Sequence, residues 1–345
     1  MMKKLLIVVL CLGIVSVACV AIDWYMNNRM PYAEKDVSFY VYPGDTPEDV
    51  LNTLKDKGLA SDVSRLSGVF RSKKVADYMK PGYYRVQKGR PCVYVARMLN
   101  NGWQTPVNLT LSGTMRRTGD ISRKIANQMA ADSASISALL DDREFMDSLG
   151  FSRENVLALF IPDTYQVYWT ASPRDIIMRL KKEYDSYWTE ENLAKADSLH
   201  LSPMEVSTLA SIVESETNHI PEMPLIAGVY LNRLRIGMPL QADPTVAFCF
   251  DFKPERILKM HLEVDSPYNT YRRRGLPPGP ICVPGRASLD AVLNPDFGNG
   301  NLYFCANRDF SGTHVFAGTI GEHNVNARAF QEELSRRHRE KLNQK

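Results

Sequence analysis

Two glutamates at the end of one helical segment are the side chains best suited to chemistry. Glu214 and Glu216 follow the apolar-rich stretch 206–213. At about 100° per residue its apolar positions form one stripe, with Glu216 roughly 50° from the centre of the stripe and Glu214 about 110° away. We therefore predict that Glu216 faces the packed side of the helix and that Glu214 faces outward.

This placement would make Glu216 a proton donor. Apolar surroundings disfavour the charged form of a carboxyl group, so its pKa rises and it stays protonated near neutral pH. Cleavage of a glycosidic bond needs such an acid to protonate the departing oxygen. The alternative is a structural glutamate in a buried ion pair with Arg233 or Arg235, and the helix alone does not decide between them.

The start of this helix is clear in the sequence. Ser202 is a capping residue, Pro203 fits the first helical position, and Glu205 stands three residues after the cap. Glu216 and His219 also have the Glu-x-x-His spacing of carboxylate-bridged metal sites, but such a site needs a second copy of the motif, which the sequence lacks. We predict no metal and no cofactor.

Loops rich in Pro and Gly occupy residues 239–295, and long ordered loops usually build a site. Several of their polar and aromatic side chains suit the hydroxyls and apolar faces of sugars, although local bonding within the loops is an equal alternative for each. The candidate substrate-binding residues are Gln241, Asp243, Thr245, Tyr268, Asn269 and Tyr271. We interpret His314 and His323 as structural histidines.

The composition is that of a folded protein of 345 residues with a net charge of +3. Its basic residues are scattered and form no aromatic-basic stripe, so the sequence gives no indication of nucleic-acid binding. Six cysteines show no metal-like spacing. Free thiols are the preferred interpretation, with a Cys282–Cys305 or Cys249–Cys282 bridge as the alternative.

The N-terminus predicts a membrane anchor. Lys3 and Lys4 precede an uncharged run over residues 5–22, which as a helix would span about 27 Å, close to the thickness of the bilayer core. The positive-inside rule leaves residues 1–4 in the cytoplasm and sends the rest outside. A lipoprotein with its lipid on Cys19 is the alternative, and Ser16 argues against it.

After a predicted tether over 23–36, residues 37–104 form a small module. A strand over 37–42, a helix capped by Thr46, a second helix over 61–78 and a strand over 83–86 are predicted. The module resembles a LysM-like domain through Tyr-Pro-Gly-Asp-Thr at 42–46, and a packing domain without a ligand is the alternative. Residues 105–200 are predicted to be mainly helical. The catalytic core follows over 201–345, with a strand over 302–305 and a final helix from Asn324, which gives an α+β fold.

The segment Leu-Ala-Ser-Ile-Val-Glu-Ser-Glu-Thr at 209–217 closely resembles the catalytic helix of the YceG-like family of endolytic lytic transglycosylases (MltG). Other blocks follow in family order: Ile-Pro-Asp-Thr-Tyr at 161–165, then 227–238, 240–246, 266–271, 275–281, 284–285, 302–304, 314–316 and 323–324. Two departures lie at 157–158, where the family usually has Glu-Gly, and at 113–116.

The resemblance implies a peptidoglycan lytic transglycosylase with Glu216 as its catalytic acid and base. Its substrate would be the β-1,4 bond between N-acetylmuramic acid and N-acetylglucosamine in nascent strands, its product a 1,6-anhydro end, and its location the cytoplasmic membrane with the catalytic domain outside. Peptidoglycan synthases are candidate partners. Two alternatives are a tethered, non-catalytic peptidoglycan-binding scaffold and a hydrolase that uses water.

Overall fold

The computed structural model describes residues 2–343 and combines helices with small antiparallel sheets. Contacts divide the chain into two compact units. The first unit contains Met1–Asn108 and Gln166–Ala171, and the second contains Leu109–Tyr165 and Ser172–Lys345. Mixed helix and strand content after one apolar N-terminal helix agrees with the predicted fold class.

The N-terminal helix α1 covers Met2–Asn28 and is longer than the predicted anchor. Its stretch Leu6–Asn28 is long and apolar enough to cross a membrane. The predicted tether is correspondingly shorter, because no Gly or Pro interrupts the helix after Asp23 and Asn27 bonds back to Asp23. By Ala33, which is buried and donates its amide to the Arg90 carbonyl, the chain is already part of the first unit.

After α1, the first unit has the predicted order of strand, helices and strand, and it ends with a further helix, α5 Cys92–Asn101. The first predicted helix is present as one helix, and the second is divided in two. Strands β1 and β2 pair antiparallel from Val37 opposite Val86 to Val41 opposite Gly82, and alternate residues of β1 face the core. The predicted second helix is broken at Lys74, whose φ is +51°. The elements are β1 Val37–Val41, α2 Pro47–Asp56, α3 Ser64–Ser72, α4 Val75–Tyr78, β2 Gly82–Val86 and α5 Cys92–Asn101.

The rest of the chain contains most of the helices, has long loops over residues 250–285, and ends in a β-hairpin and a long helix. Its elements are β3 Val107–Leu111, α6 Thr118–Ala126, α7 Ser133–Asp141, α8 Arg143–Ser148, β4 Asp163–Val167, α9 Pro173–Tyr187, α10 Glu190–Ser198, α11 Pro203–Glu216, α12 Met223–Arg235, α13 Asp243–Cys249, α14 Arg286–Leu293, β5 Tyr303–Ala306, β6 His314–Ala317 and α15 Ile320–Asn343. Strand β3 pairs with β4, and β5 pairs with β6.

Helix α11 forms the centre of the second unit and packs against α12 and α14. Residues 206–213 of α11 are all buried, so the helix is fixed on every side before it reaches its last turn. Gly228 lets α12 approach the chain at Asp296, because a Cβ there would lie 2.0 Å from the Asp296 carbonyl oxygen. These contacts fix the positions of the last turn of α11 and the middle of α12, which carry the site.

Candidate active site

The last turn of α11 opens onto a cavity of about 490 Å³. The predicted cap is present: the Ser202 hydroxyl accepts from the Glu205 amide, and the Glu205 carboxylate accepts from the Ser202 amide. The helix ends at Glu216, and Thr217 is extended. The residues lining the cavity are Glu214, Ser215, Glu216, Thr217, Asn218, His219, Ser311, Gly312 and His314.

Glu216 has the properties of a proton donor. The residue keeps partial contact with solvent at the cavity, while its carboxyl group lies deep in protein. Burial raises the pKa of this carboxyl group to about 7, the Tyr230 hydroxyl bond opposes that rise, and the nearby Asp243 carboxylate adds to it. Near neutral pH the group therefore exchanges readily between its acid and its base form.

The ion pair weighed above as an alternative is absent from the described residues. Arg233 is buried, but its guanidinium donates to the carbonyls of Leu302 (2.6 Å) and Leu240 (2.5 Å). Arg235 lies over the ring of Phe297, 4.1 Å from its centroid. Neither arginine forms a salt bridge with Glu216 within residues 2–343, so a structural ion pair does not explain why a carboxyl group is buried here.

The partner of Glu216 is Tyr230, a residue that the sequence analysis missed. Its hydroxyl donates to the Glu216 Oε1 atom at 2.6 Å, and the side chain is only 1% exposed. Burial and the adjacent carboxyl group raise the pKa of Tyr230 well above its usual value, so the hydroxyl keeps its proton. A sequence signal existed, since a buried tyrosine usually finds a partner for its hydroxyl.

The prediction that Glu214 faces outward is wrong. Glu214 is half-buried, lines the same cavity, and accepts a long hydrogen bond of 3.4 Å from the Gly285 amide at the start of α14. The reason is that α11 is surrounded by protein, so its face away from the apolar stripe meets α14 instead of solvent. The two carboxylates differ in their partners: Glu214 accepts from the Gly285 amide, whereas Glu216 accepts from the Tyr230 hydroxyl.

Three of the six predicted substrate-binding residues lie at the surface of the loops. Tyr271 donates its hydroxyl to the Asp243 carboxylate at 2.6 Å, and Asp243 is exposed and close enough to Glu216 to raise its pKa. Gln241 is also exposed, with φ +52°. We expect these three residues to be the ones that a substrate can reach.

The other three predicted residues support the loops from within. Thr245 and Asn269 are fully buried, and their side chains bond to backbone groups or to Thr270. The Tyr268 hydroxyl donates to the Glu154 carbonyl while its ring packs on Phe248. These contacts correspond to the alternative of local loop bonding.

Comparison with known proteins agrees with the sequence motifs. A model of the YceG-like family matches residues 39–329 of the chain. The chain belongs to the YceG-like family. The match includes α11 with Glu216, α12 with Tyr230, the start of α13 with Asp243 and the loop that carries Tyr271.

Relatives of this YceG-like protein carry a functional name. The endolytic murein transglycosylase of Bacillus subtilis is 29% identical over 87% of each chain. That of Streptococcus pneumoniae strain D39 is 25% identical over 82% of this chain, which spans 57% of that longer protein. The crystal structure of a YceG-like protein from Listeria monocytogenes matches 85% of this chain with a TM-score of 0.56 and 28% identity.

Removal of the Tyr230 hydroxyl is expected to change the pH dependence of this YceG-like protein. A general acid works in its protonated form, so with Glu216 in that role we expect activity to fall as the pH rises through the Glu216 pKa of about 7. The hydrogen bond lowers that pKa, so in Tyr230→Phe the falling limb of kcat/KM should move to higher pH. Loss of the bond that orients the carboxyl group should also lower kcat about tenfold.

The phenyl ring of this variant keeps the edge-on packing against Phe304. A pH–rate profile with the limb unmoved, or moved to lower pH, would show that Tyr230 does not act on Glu216.

Proposed function

We propose that this protein is an endolytic murein transglycosylase in which Glu216 is the catalytic acid and base. One observation carries the proposal: a carboxyl group with a pKa of about 7 lies at a cavity, hydrogen-bonded to Tyr230 and without a salt bridge to an arginine within residues 2–343. The name shared by the relatives from Bacillus subtilis and Streptococcus pneumoniae supports the same activity.

The proposed reaction needs one carboxyl group used twice. Glu216 gives its proton to the glycosidic oxygen between N-acetylmuramic acid and N-acetylglucosamine, and the bond from that oxygen to the muramic C1 breaks. The carboxylate then takes the proton of the muramic C6 hydroxyl, whose oxygen bonds to C1 and closes the 1,6-anhydro ring. Glu216 ends protonated, ready for another cycle, and no water is consumed.

The Tyr230 hydroxyl and the loop residues are proposed to orient the carboxyl group and to bind the glycan. Tyr230 orients the carboxyl group and prevents its pKa from rising further. Gln241, Asp243 and Tyr271 are proposed to contact the glycan, while Thr245, Tyr268 and Asn269 hold the loops in place. A negative Asp243 beside Glu216 also favours the protonated form that the first step requires.

We further propose that the protein acts at the cytoplasmic membrane on strands as they are made, and that its cuts terminate glycan elongation. In this proposal α1 crosses the membrane with residues 1–4 in the cytoplasm and the chain after α1 outside, and the LysM-like module over 37–104 binds peptidoglycan. A short link between α1 and strand β1 would keep the enzyme near membrane-bound synthases, its candidate partners. The apolar stretch Leu6–Asn28 and the positive charges before it support this arrangement.

Analysis of the products tests the proposed reaction. Digestion of purified peptidoglycan should yield muramic ends that borohydride does not reduce, with a mass lower by one water than reducing ends. Mass spectrometry of the fragments gives this directly. Reducible muramic ends would mean that water is the acceptor and that the enzyme is a hydrolase, and an absence of fragments would favour the non-catalytic scaffold.

A further inference from the structure

A glutamate–histidine pair, Glu222 and His314, borders the cavity and has no part in the proposed reaction. Glu222 lies in the short turn between α11 and α12, and His314 begins strand β6. The Glu222 Oε1 atom accepts from the backbone amide of His314 at 2.8 Å, and its Oε2 atom lies 3.1 Å from the His314 Nδ1 atom. Glu222 is 8% exposed, so these contacts hold its carboxyl group inside the protein.

This geometry assigns a role to each nitrogen of the His314 ring. A carboxylate only accepts hydrogen bonds, so Nδ1 must carry a proton to bond to Glu222. In the neutral ring the Nε2 atom is then an acceptor with a free lone pair. His314 lines the same cavity as Glu216, and 15% of its side chain stays exposed. The ring is therefore held at its Nδ1 edge, and its Nε2 atom forms no hydrogen bond with another described residue.

The wall behind the ring fixes its orientation. Phe304 packs edge-on against His314, with ring centroids 5.3 Å apart, and edge-on against Tyr230 at 5.9 Å. Tyr230 in turn donates to Glu216. One aromatic ring therefore contacts both the partner of the catalytic acid and the histidine, which makes these side chains parts of one wall.

We propose that His314 binds the substrate, with its Nε2 atom accepting a hydrogen bond from a hydroxyl of the aminosugar that occupies the cavity beside Glu216. This inference rests on the proposed function and adds a binding group to it. The cavity of about 490 Å³ is within the range of ligand pockets. Its wall offers Ser215, Asn218 and Ser311 as further polar groups, a set that suits a polyhydroxylated ligand.

A purely structural pair would have a different signature. In the structural alternative, Glu222 only connects β6 to the turn before α12 through its hydrogen bonds. Removal of the His314 ring would then lower thermal stability and leave the affinity for glycan unchanged. Binding through Nε2 predicts the opposite pattern for a variant that keeps the Glu222 bond. The chain offers such a variant, because an asparagine amide can reach the position of Nδ1 but not that of Nε2.

The test uses the full chain in detergent with soluble glycan strands as substrate. In His314→Asn the KM should rise about tenfold, the value of one hydrogen bond, with a smaller change in kcat and an unchanged Tm. His314→Gln brings an amide to the position of Nε2, so it should recover part of the lost affinity. A normal KM in His314→Asn overturns the inference, as does a fall in Tm that accounts for the lost activity, or failure of both variants to fold.

Glu216→Gln, assayed beside these variants, separates the two proposals. If Glu216→Gln is inactive and His314→Asn has a normal KM, only the role of His314 fails. If Glu216→Gln cleaves as well as the natural protein, the proposed function itself fails, and the role of His314 with it.

Discussion

Replacement of Glu216 by glutamine is expected to reduce muropeptide release by about 10² to 10⁴-fold, the usual contribution of a positioned general acid. The amide has the shape of the carboxyl group, and its oxygen can still accept the Tyr230 hydroxyl. It has no proton of suitable pKa to give to the leaving oxygen. Chromatography of the fragments released from purified peptidoglycan measures the loss, and circular dichroism verifies the fold.

The matched control is Glu214→Gln, two residues earlier on the same helix. Its amide oxygen can still accept the Gly285 amide, so the start of α14 should stay in place. Because Glu214 lines the cavity, we expect a loss of activity smaller than about tenfold, as for one weakened contact. If Glu214→Gln is inactive and Glu216→Gln is not, the acid is Glu214 and the argument from burial is wrong.

Local signals in the sequence predicted the helix that carries Glu216. The start of α11 was predicted correctly because its signals are local. They are the Ser202–Glu205 capping box, Pro203 and the apolar stripe. The position of Glu216 toward packed protein followed from the same periodicity. The sequence does not predict the environment of each carboxylate, because that environment is formed by chain segments far away in the sequence.

Two contacts illustrate this limit. Tyr230, the partner of Glu216, lies on the next helix, and its approach depends on how α11 packs against α12. Gly285, the partner of Glu214, is 71 residues away and meets it only because α14 covers the outer face of α11. A helical projection assigns residues to a face, but the fold decides whether that face meets solvent or another helix.

One misplaced helix start and one missed helix had readable signals. Helix α15 begins at Ile320, four residues before the predicted Asn324, and a reciprocal cap between Thr319 and Glu322 marks that start. Helix α13 begins at Asp243-Pro244, and a proline in the first turn is a common feature of helix starts. Strand β6 is four residues long and stable only through its pairing with β5, so no local pattern predicts it.

The same buried carboxyl group should make the protein less stable as the pH rises, and Glu216→Gln should remove that loss. The folded-state pKa of Glu216 is about 7, above the ordinary value of 4.5 that applies to the unfolded chain. Between these two values the folded protein binds the proton more tightly, so its stability falls as the pH increases through this window. The difference of pKa corresponds to about 3 kcal/mol, fully expressed above pH 7.

Thermal unfolding of the natural protein and of Glu216→Gln, at pH 4.5 and at pH 8, measures this difference. The variant should gain stability relative to the natural protein only at the higher pH, because glutamine does not titrate. Glu214→Gln controls for loss of one negative charge from the same turn. A gain at pH 8 as large in Glu214→Gln would show that the total charge of the cavity sets the pH dependence. A gain specific to Glu216→Gln would mean that the protein gives up stability at neutral pH to keep one protonated carboxyl group at the cavity, which is the cost expected when a buried group is retained for catalysis.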